Sequence, residues 1–397
     1  MKLERIFAKF KLQLILCWII VPCIASGADW YAKLLTCATT QQDTFFYKST
    51  DSQILAWNES FVLRTYLSCY QIEDDSLWID KAIHHCRTIL SNMRDFPEVP
   101  QVKTWDGYRD GFSGWGTIRQ NRYQELLFHD AIIAIPILRF TLLINQNPAT
   151  ATHYGYAFSE FTRTIEANII GKWRLHWEDA RESSTHDGSL EQWNGWDRLP
   201  HHQYAAMGTV FCLLARLVDM PNCPLKHPDW GEWYTQNAFE MANFLKSHLK
   251  IDTQLAAYYW DYDLVGSRIE NINQGDFTLE FMLAAKENRL VFDDMDLFRL
   301  LNTLRFKIWN QDKDNPQFYY CVNGGYSEDS GFQLRTWVFF SLLDLNLQAA
   351  LHKNLSNYIN QNPILNGELR CGKTSCTIAN LAYVLKQSRF FQQKAVH

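Results

Sequence analysis

Four segments of this chain place largely apolar residues at i, i+3, i+4, i+7 and i+11. They are Ile79, Ala82, Ile83, Cys86, Leu90; Phe158, Phe161, Thr162, Ile165, Ile169; Ala238, Met241, Ala242, Leu245, Leu249; and Leu297, Leu300, Leu301, Leu304, Ile308. That spacing is the single buried stripe of an amphipathic helix. Ahead of each lies a helical stretch that is apolar on more than one face, at 57–71, 122–145, 202–219 and 275–289. Another such stretch, Leu334 to Leu347, precedes a weaker partner at 348–360, and a last one covers 376–387. A helix apolar all round is buried on several sides, whereas a one-stripe helix has a solvent face. A hairpin of the two cannot bury its apolar face alone, so hairpins stack at a step of about 60–80 residues. The pattern predicts an all-α chain, an incomplete or closed (α/α) toroid of helical hairpins. Helices 122–145, 202–219, 275–289 and 334–347 would form its inner ring, with an open superhelix as the alternative. Strand signals are few, and 317–326 is expected to hold a short hairpin. No Pro/Gly/Ser-rich linker divides the chain, so residues 28–397 are read as one domain.

Residues 1–27 read differently. Lys2, Arg5, Lys9 and Lys11 stand against one acid, Glu4, and an apolar run follows from Leu12 to Ile24. At about 13 residues that run is shorter than the roughly 20 a spanning helix needs. Ala25-Ser26-Gly27 then offers a cleavage site before Ala28. These are the parts of a secretory signal peptide, with an uncleaved anchor as the alternative. The expected location is secreted or periplasmic, with no stable membrane span after cleavage and no later stretch suited to spanning. An oxidising compartment permits disulfides. Of the eight cysteines beyond the signal, Cys371 with Cys376 and Cys212 with Cys223 are close enough for local bridges, and burial as small hydrophobes is the alternative. The net charge of −5 excludes the basic balance of a nucleic-acid binder.

The chemistry gathers ahead of the inner helices. Aromatic residues are 15% of the chain, and 15 of them are Trp. Four aromatic, charged blocks stand before four apolar stretches: "WDGYRDGFSGWGTIRQNRYQE", "HWEDARESSTHDGSLEQWNGWDRLPHHQY", "YYWDYDLVGSRIENINQGDF" and "FYYCVNGGYSEDSGFQLRTW". A ring of hairpins would bring such blocks to one end. Aromatic faces stack on sugar C–H surfaces, while Arg and carboxylates bind hydroxyl or uronate groups. Trp115, Arg119, Glu178, Trp193, Trp196, Tyr259 and Trp260 are the expected substrate-binding residues, together with Asn271 and Gln274. Covering helix ends is the simpler role for any one aromatic. In "SRIENINQGDF", Arg268, Glu270, Asn271, Asn273, Gln274 and Asp276 crowd polar groups at a buried helix start, where they need partners or a ligand. Arg268 and Glu270 are either a structural ion pair or a catalytic, substrate-anchoring pair. Asp276 can serve as a plain N-cap. In "DRLPHHQYAAMG", His201, His202 and Tyr204 supply groups suited to proton transfer near neutral pH. Asp261 and Asp263 are further carboxylates. Asp293–Asp296 reads as a helix cap, and 312–315 lacks the glycine and terminal glutamate of a calcium loop.

These residues carry a resemblance. The repeat pattern over about residues 50–390, with "LPHHQYAAMG" and "SRIENINQGDFTLEF", resembles the helical-toroid polysaccharide-active enzymes, the class of alginate-type lyases and (α/α) glycoside hydrolases. At the second motif that class is similar to E-D-x-x-H-G, and here Asn271 and Gln274 stand where Asp and His are expected. The resemblance therefore implies altered or lost activity if those groups carry protons.

Two mechanisms compete. A polysaccharide lyase acting on a uronate-containing glycan would use Arg268 with Asn271 or Gln274 on the C6 carboxylate. His202 would take the C5 proton, and Tyr204 or Tyr262 would protonate the leaving oxygen. A glycoside hydrolase would pair Glu270 with Asp261 or Glu178. A secreted glycan-binding or host-interaction protein is the non-enzymatic alternative. The expected partner is an oligo- or polysaccharide, with neither cofactor nor metal.

Overall fold

The computed structural model describes residues 46–94, 111–119, 122–174, 199–220, 222–266, 268–326, 329–361 and 372–394. The signal segment 1–27, Cys37, Glu178, Trp193, Trp196 and Cys371 lie outside the described residues.

Among the described residues the chain is all-α apart from two short antiparallel hairpins. Helix α1 spans Ser60–Glu73 and turns at Asp74, in the left-handed region at φ 57°, into α2, Ser76–Ser91. Strands β1, Gly116–Arg119, and β2, Arg122–Glu125, pair antiparallel. Helix α3 is Leu127–Gln146 and α4 is Pro148–Ile165, extended by one wider turn over Glu166–Ile170. Helix α5 is His201–Val218 and α6 is Gly231–His248. Strands β3, Lys250–Asp252, and β4, Ala257–Tyr259, form the second hairpin. Helices α7, Ile272–Glu287, and α8, Asp294–Asn302, precede a tight 3-10 segment at Trp337–Leu343, and α9, Leu345–Gln361, and α10, Gly372–Lys394, follow.

Burial separates two kinds of helix, as the apolar patterns predict. Helices α3, α5 and α7 are buried on nearly every face, whereas α2, α4 and α6 bury one stripe. Each of α1, α3 and α5 packs against the one-stripe helix that follows it, and the fully buried helices pack side by side in the order α10–α1–α3–α5–α7. Across that row, α1 and α7 also meet. Arg64 donates to Glu280 Oε1 at 2.7 Å, and the Phe61 and Phe277 rings lie 6.2 Å apart.

Helix α3 is long and apolar enough to cross a membrane, contrary to the expectation for the chain beyond its first segment, but 89% of its most apolar window is buried inside the protein. Two predicted boundaries also move. Residues 122–125 pair with 116–119 as a strand, so α3 begins at Leu127. Only 337–343 of the stretch 334–347 is helical before Asp344, and it is 3-10. Its start is held by side chains: Arg335 and Thr336 are both bonded to Asp276 of α7. Helix α10 takes the inner place beside α1 instead. Residues 317–326 form a turn, with Cys321 N donating to Gly325 O at 3.2 Å. Its flanks bridge to Trp309 and Asn271, so it is not an independent strand pair. Cys69, Cys86, Cys212, Cys223, Cys321 and Cys376 are in no disulfide, which removes the Cys212–Cys223 bridge. Asp293 does cap α8, in a reciprocal box with Asp296.

Helix α5 packs tightly on α7 at Gly208. A Cβ there would stand 2.5 Å from Cε2 of Phe281. Gly208→Ala is expected to cost about 1–3 kcal/mol by overpacking. A urea midpoint equal to the wild type would contradict that reading of the crossing.

Candidate functional site

The site begins at the first turn of α5. Pro200, the residue before the helix, has φ −50° and ψ 141°, and the helix opens with two histidines. Consecutive helical residues point about 100° apart, whereas i and i+3 share a face. His201 and Tyr204 therefore meet, at 2.9 Å between Nδ1 and the phenol oxygen, and both are buried. Burial lowers the His201 pKa below its ordinary value and raises that of Tyr204 well above. His202 points elsewhere. Its Nδ1 donates to Glu270 Oε1 at 2.8 Å, and both side chains are buried.

Glu270 sits just ahead of α7, and its backbone is tied on both sides. Its N–H donates to Trp260 O at 3.3 Å and its carbonyl accepts from Val322 N at 3.0 Å. Its second carboxylate oxygen accepts from Trp260 Nε1 at 2.8 Å and from Thr278 Oγ1 at 3.1 Å. A carboxylate that accepts at Nδ1–H assigns the proton of a neutral imidazole to that nitrogen. Nε2 of His202 is then the ring atom able to accept a proton. The Phe128 ring, edge-on at 4.9 Å, covers one side of the imidazole.

A loop also packs against this imidazole. Tyr262 N donates to Arg268 O at 2.8 Å, and Gly266 takes the left-handed φ of 69°. Tyr262 O accepts from His201 N at 3.0 Å, which fastens the loop to the start of α5. The Tyr262 ring centre is 5.2 Å from that of His202, and the Arg268 guanidinium lies over Tyr262 at 3.8 Å. Arg268, Tyr262, His202 and Glu270 thus form one continuous line from an exposed cation to a buried carboxylate, across 69 positions of sequence from 202 to 270.

Other expectations are corrected. Glu270 makes its bonds to His202, Trp260 and Thr278, and Arg268 is stacked on Tyr262, so the structural ion pair between these two is not formed. Trp115 is wholly buried with its Nε1 on Ile89 O at 2.9 Å, and it is a core residue rather than a sugar platform. Trp260 is equally buried and stacks on Trp337 at 6.1 Å, so it supports Glu270 without offering a free face. Tyr204 faces the core with His201 and cannot reach a glycan. Asn271, not Asp276, caps α7, accepting from Gln274 N at 2.9 Å, and its side-chain amide also donates to Gln274 Oε1. Asp276 lies further along α7 and accepts from Arg335 Nε at 3.1 Å and Thr336 N at 2.6 Å. Burial nonetheless raises its carboxyl above the ordinary value.

Tyr259 is half-buried beneath the Lys250 and Lys307 ammonium groups, at 5.9 and 5.1 Å. Asp261 pairs with Lys250 at 2.6 Å. Arg119 ends β1 opposite Arg122 in the ladder. Among the described residues no group of three His, Cys, Asp or Glu side chains is placed to hold a metal ion.

Thr278 and Phe128 support the site without being singled out by the sequence: each lies in an apolar run, and only packing brings it to Glu270 or His202. Trp337 closes the fourth aromatic block, and packing stacks it on Trp260. Compared with protein families, curated proteins and solved structures, the chain finds no match in any of the three.

Proposed function

We propose that this chain is a secreted or periplasmic carbohydrate-active enzyme, a polysaccharide lyase that cleaves a uronate-containing glycan by proton abstraction and β-elimination. The observation that carries the reading is the line Arg268–Tyr262–His202–Glu270. Exposed Arg268 can meet the C6 carboxylate with a planar, two-pronged donor and so acidify the C5 proton. Nε2 of His202 takes that proton, and the Tyr262 hydroxyl protonates the leaving oxygen. Glu270 is a positioning residue that orients the imidazole. The hydrolase alternative is weaker on this geometry, because the Glu270 carboxylate already accepts three hydrogen bonds.

The reading includes the (α/α) toroid as a single domain of residues 28–397, supported by the row of buried helices and by the Arg64–Glu280 contact between α1 and α7. A compact domain of that length has a radius of gyration of about 21 Å in small-angle scattering. A much larger value would indicate an open superhelix. It also includes cleavage of residues 1–27, tested by N-terminal sequencing of exported protein. An intact Met1 there would refute cleavage.

The functional test is an acidic and neutral polysaccharide panel with mass spectrometry of the products. Elimination leaves an unsaturated, ultraviolet-absorbing end, and hydrolysis adds water. One observation favours a second reading, glycan binding without turnover: Asn271 and Gln274 are bonded to each other and to the helix cap, and neither transfers protons. Tight binding with no product would establish it.

Arg268→Ala is expected to lower kcat/KM by about tenfold or more, the value of a charge-assisted hydrogen bond, with the fold intact because the side chain is exposed. Arg268→Lys should restore only part, since an ammonium lacks the fork. Unchanged cleavage by Arg268→Ala on every substrate would remove Arg268 from the mechanism.

A further inference from the structure

The end of α4 with its extension and the segment 226–230 before α6 border an open-mouthed cavity of about 480 Å³, lined by Phe112, Ala167, Gly171, Arg174, Lys226, His227 and Trp230, none of them part of the Arg268–Tyr262–His202–Glu270 line. Three of these are basic and none is acidic. We infer that this cavity binds a compact oxyanion, the carboxylate or sulfate of a small acidic ligand, through Arg174, Lys226 and His227.

The cations are available. The Arg174 guanidinium is fixed between rings, 4.6 Å from the centre of Trp230 and 5.5 Å from that of Trp233. It has no hydrogen-bond partner among the described residues, and its Nε is buried without one. A buried N–H left unpaired is costly, and a planar guanidinium already held in place loses little freedom on meeting an oxyanion. His227 stacks flat on Trp230 at 4.2 Å and 10°, which sets the edge of its ring. Lys226 is exposed and in no ion pair among the described residues.

The carboxylate that might have neutralised them is already engaged. Glu166 accepts from Lys226 N at 2.5 Å, His227 N at 3.1 Å and the Tyr234 hydroxyl at 2.9 Å. It fixes the backbone of the basic segment rather than pairing with its side chains. Asp229, the nearest acid along that segment, is exposed to solvent. Gly171 makes room for an apolar wall, since a Cβ there would stand 2.7 Å from Phe112 Cε1. An oxyanion on a small, partly apolar body fits these walls.

Isothermal titration calorimetry tests the inference, with glucuronate, sodium sulfate and neutral glucose as probes. The protein carries Arg268→Ala throughout, so that the proposed cleavage site does not contribute and failure here is separate from failure of the lyase reading. Glucuronate or sulfate should bind and glucose should not. A sugar acid that binds while sulfate does not identifies a ligand held also by its body, and equal binding identifies a free-oxyanion site. Arg174→Met, which keeps an apolar stem against the Trp rings, should weaken binding by about tenfold or more. Lys226→Glu, an exposed change that spares the fold, should also weaken it. No binding by either anion, or binding that both variants leave unchanged, overturns the site.

Discussion

On the proposed lyase chemistry, replacing His202 by Ala is expected to lower turnover of the cleaved glycan by about 10²–10⁴-fold, the usual contribution of a positioned proton-transfer group. The loss should fall on kcat, because the role proposed for the imidazole is to take a proton and not to hold the polymer. Circular dichroism should remain that of a folded helical protein. Glu270→Gln is the companion variant. Its amide cannot accept from His202, Trp260 and Thr278 together, because one of its two ends is now a donor. The ring is then mis-set, and kcat should fall while KM changes little. Equal turnover by His202→Ala and wild type would end the assignment of the base.

The second large effect is on stability. Glu280 of α7 receives Arg64 of α1 at 2.7 Å and Arg139 of α3 at 3.1 Å, and both Arg64 and Glu280 are buried. Glu280→Gln leaves the buried Arg64 guanidinium without its carboxylate and is expected to cost about 3–5 kcal/mol, whereas Arg64→Met leaves Glu280 with Arg139 and should cost less. The double variant Arg64→Met/Glu280→Gln should be less destabilised than the sum of these single changes, because no buried charge is then left without a partner. Additive losses in denaturant titrations would contradict this.

The same pair has a pH signature. Burial opposes the charge on Glu280, but Arg64 and Arg139 outweigh it and hold the carboxyl below its ordinary value. As pH falls, the unfolded chain takes up this proton first, near the free glutamate value of about 4.3. The stabilisation is therefore complete above that pH and is lost as pH falls through the lower folded-state value. Glu280→Gln should flatten the part of the acid-unfolding curve that lies in this window.

What could be read from residues alone follows from the range of the forces involved. The 3.6 period marks α2, α4, α6 and α8 because a helix's faces are set by neighbours three and four positions away. The Asp293 and Asp296 cap is legible for the same reason. The crowding of Arg268, Glu270 and Asn271 ahead of α7 is legible too, since polar groups at a buried helix start need partners, and Glu270 and Asn271 find theirs there.

The role of each group within that place is decided elsewhere. His201 and His202 are adjacent and chemically identical in sequence. One meets Tyr204 against the core and the other meets Glu270, because a helical step of about 100° sends them to different neighbours. Trp115 and Trp260 look like any loop tryptophan, yet Ile89 and Glu270 take their N–H groups inside the protein. The apolar stretch at 334–347 reads as an inner helix, but the bonds from Arg335 and Thr336 to Asp276, about 60 positions away, hold its start and it winds as a 3-10 segment instead. Local patterning specifies the helices, most of their hairpin pairing and the region where polar chemistry gathers, all consequences of contacts within a few residues. Which side chain is buried, which hydrogen bond holds it and which face meets solvent were decided by the tertiary structure, because burial is a sum over neighbours that the local sequence does not contain.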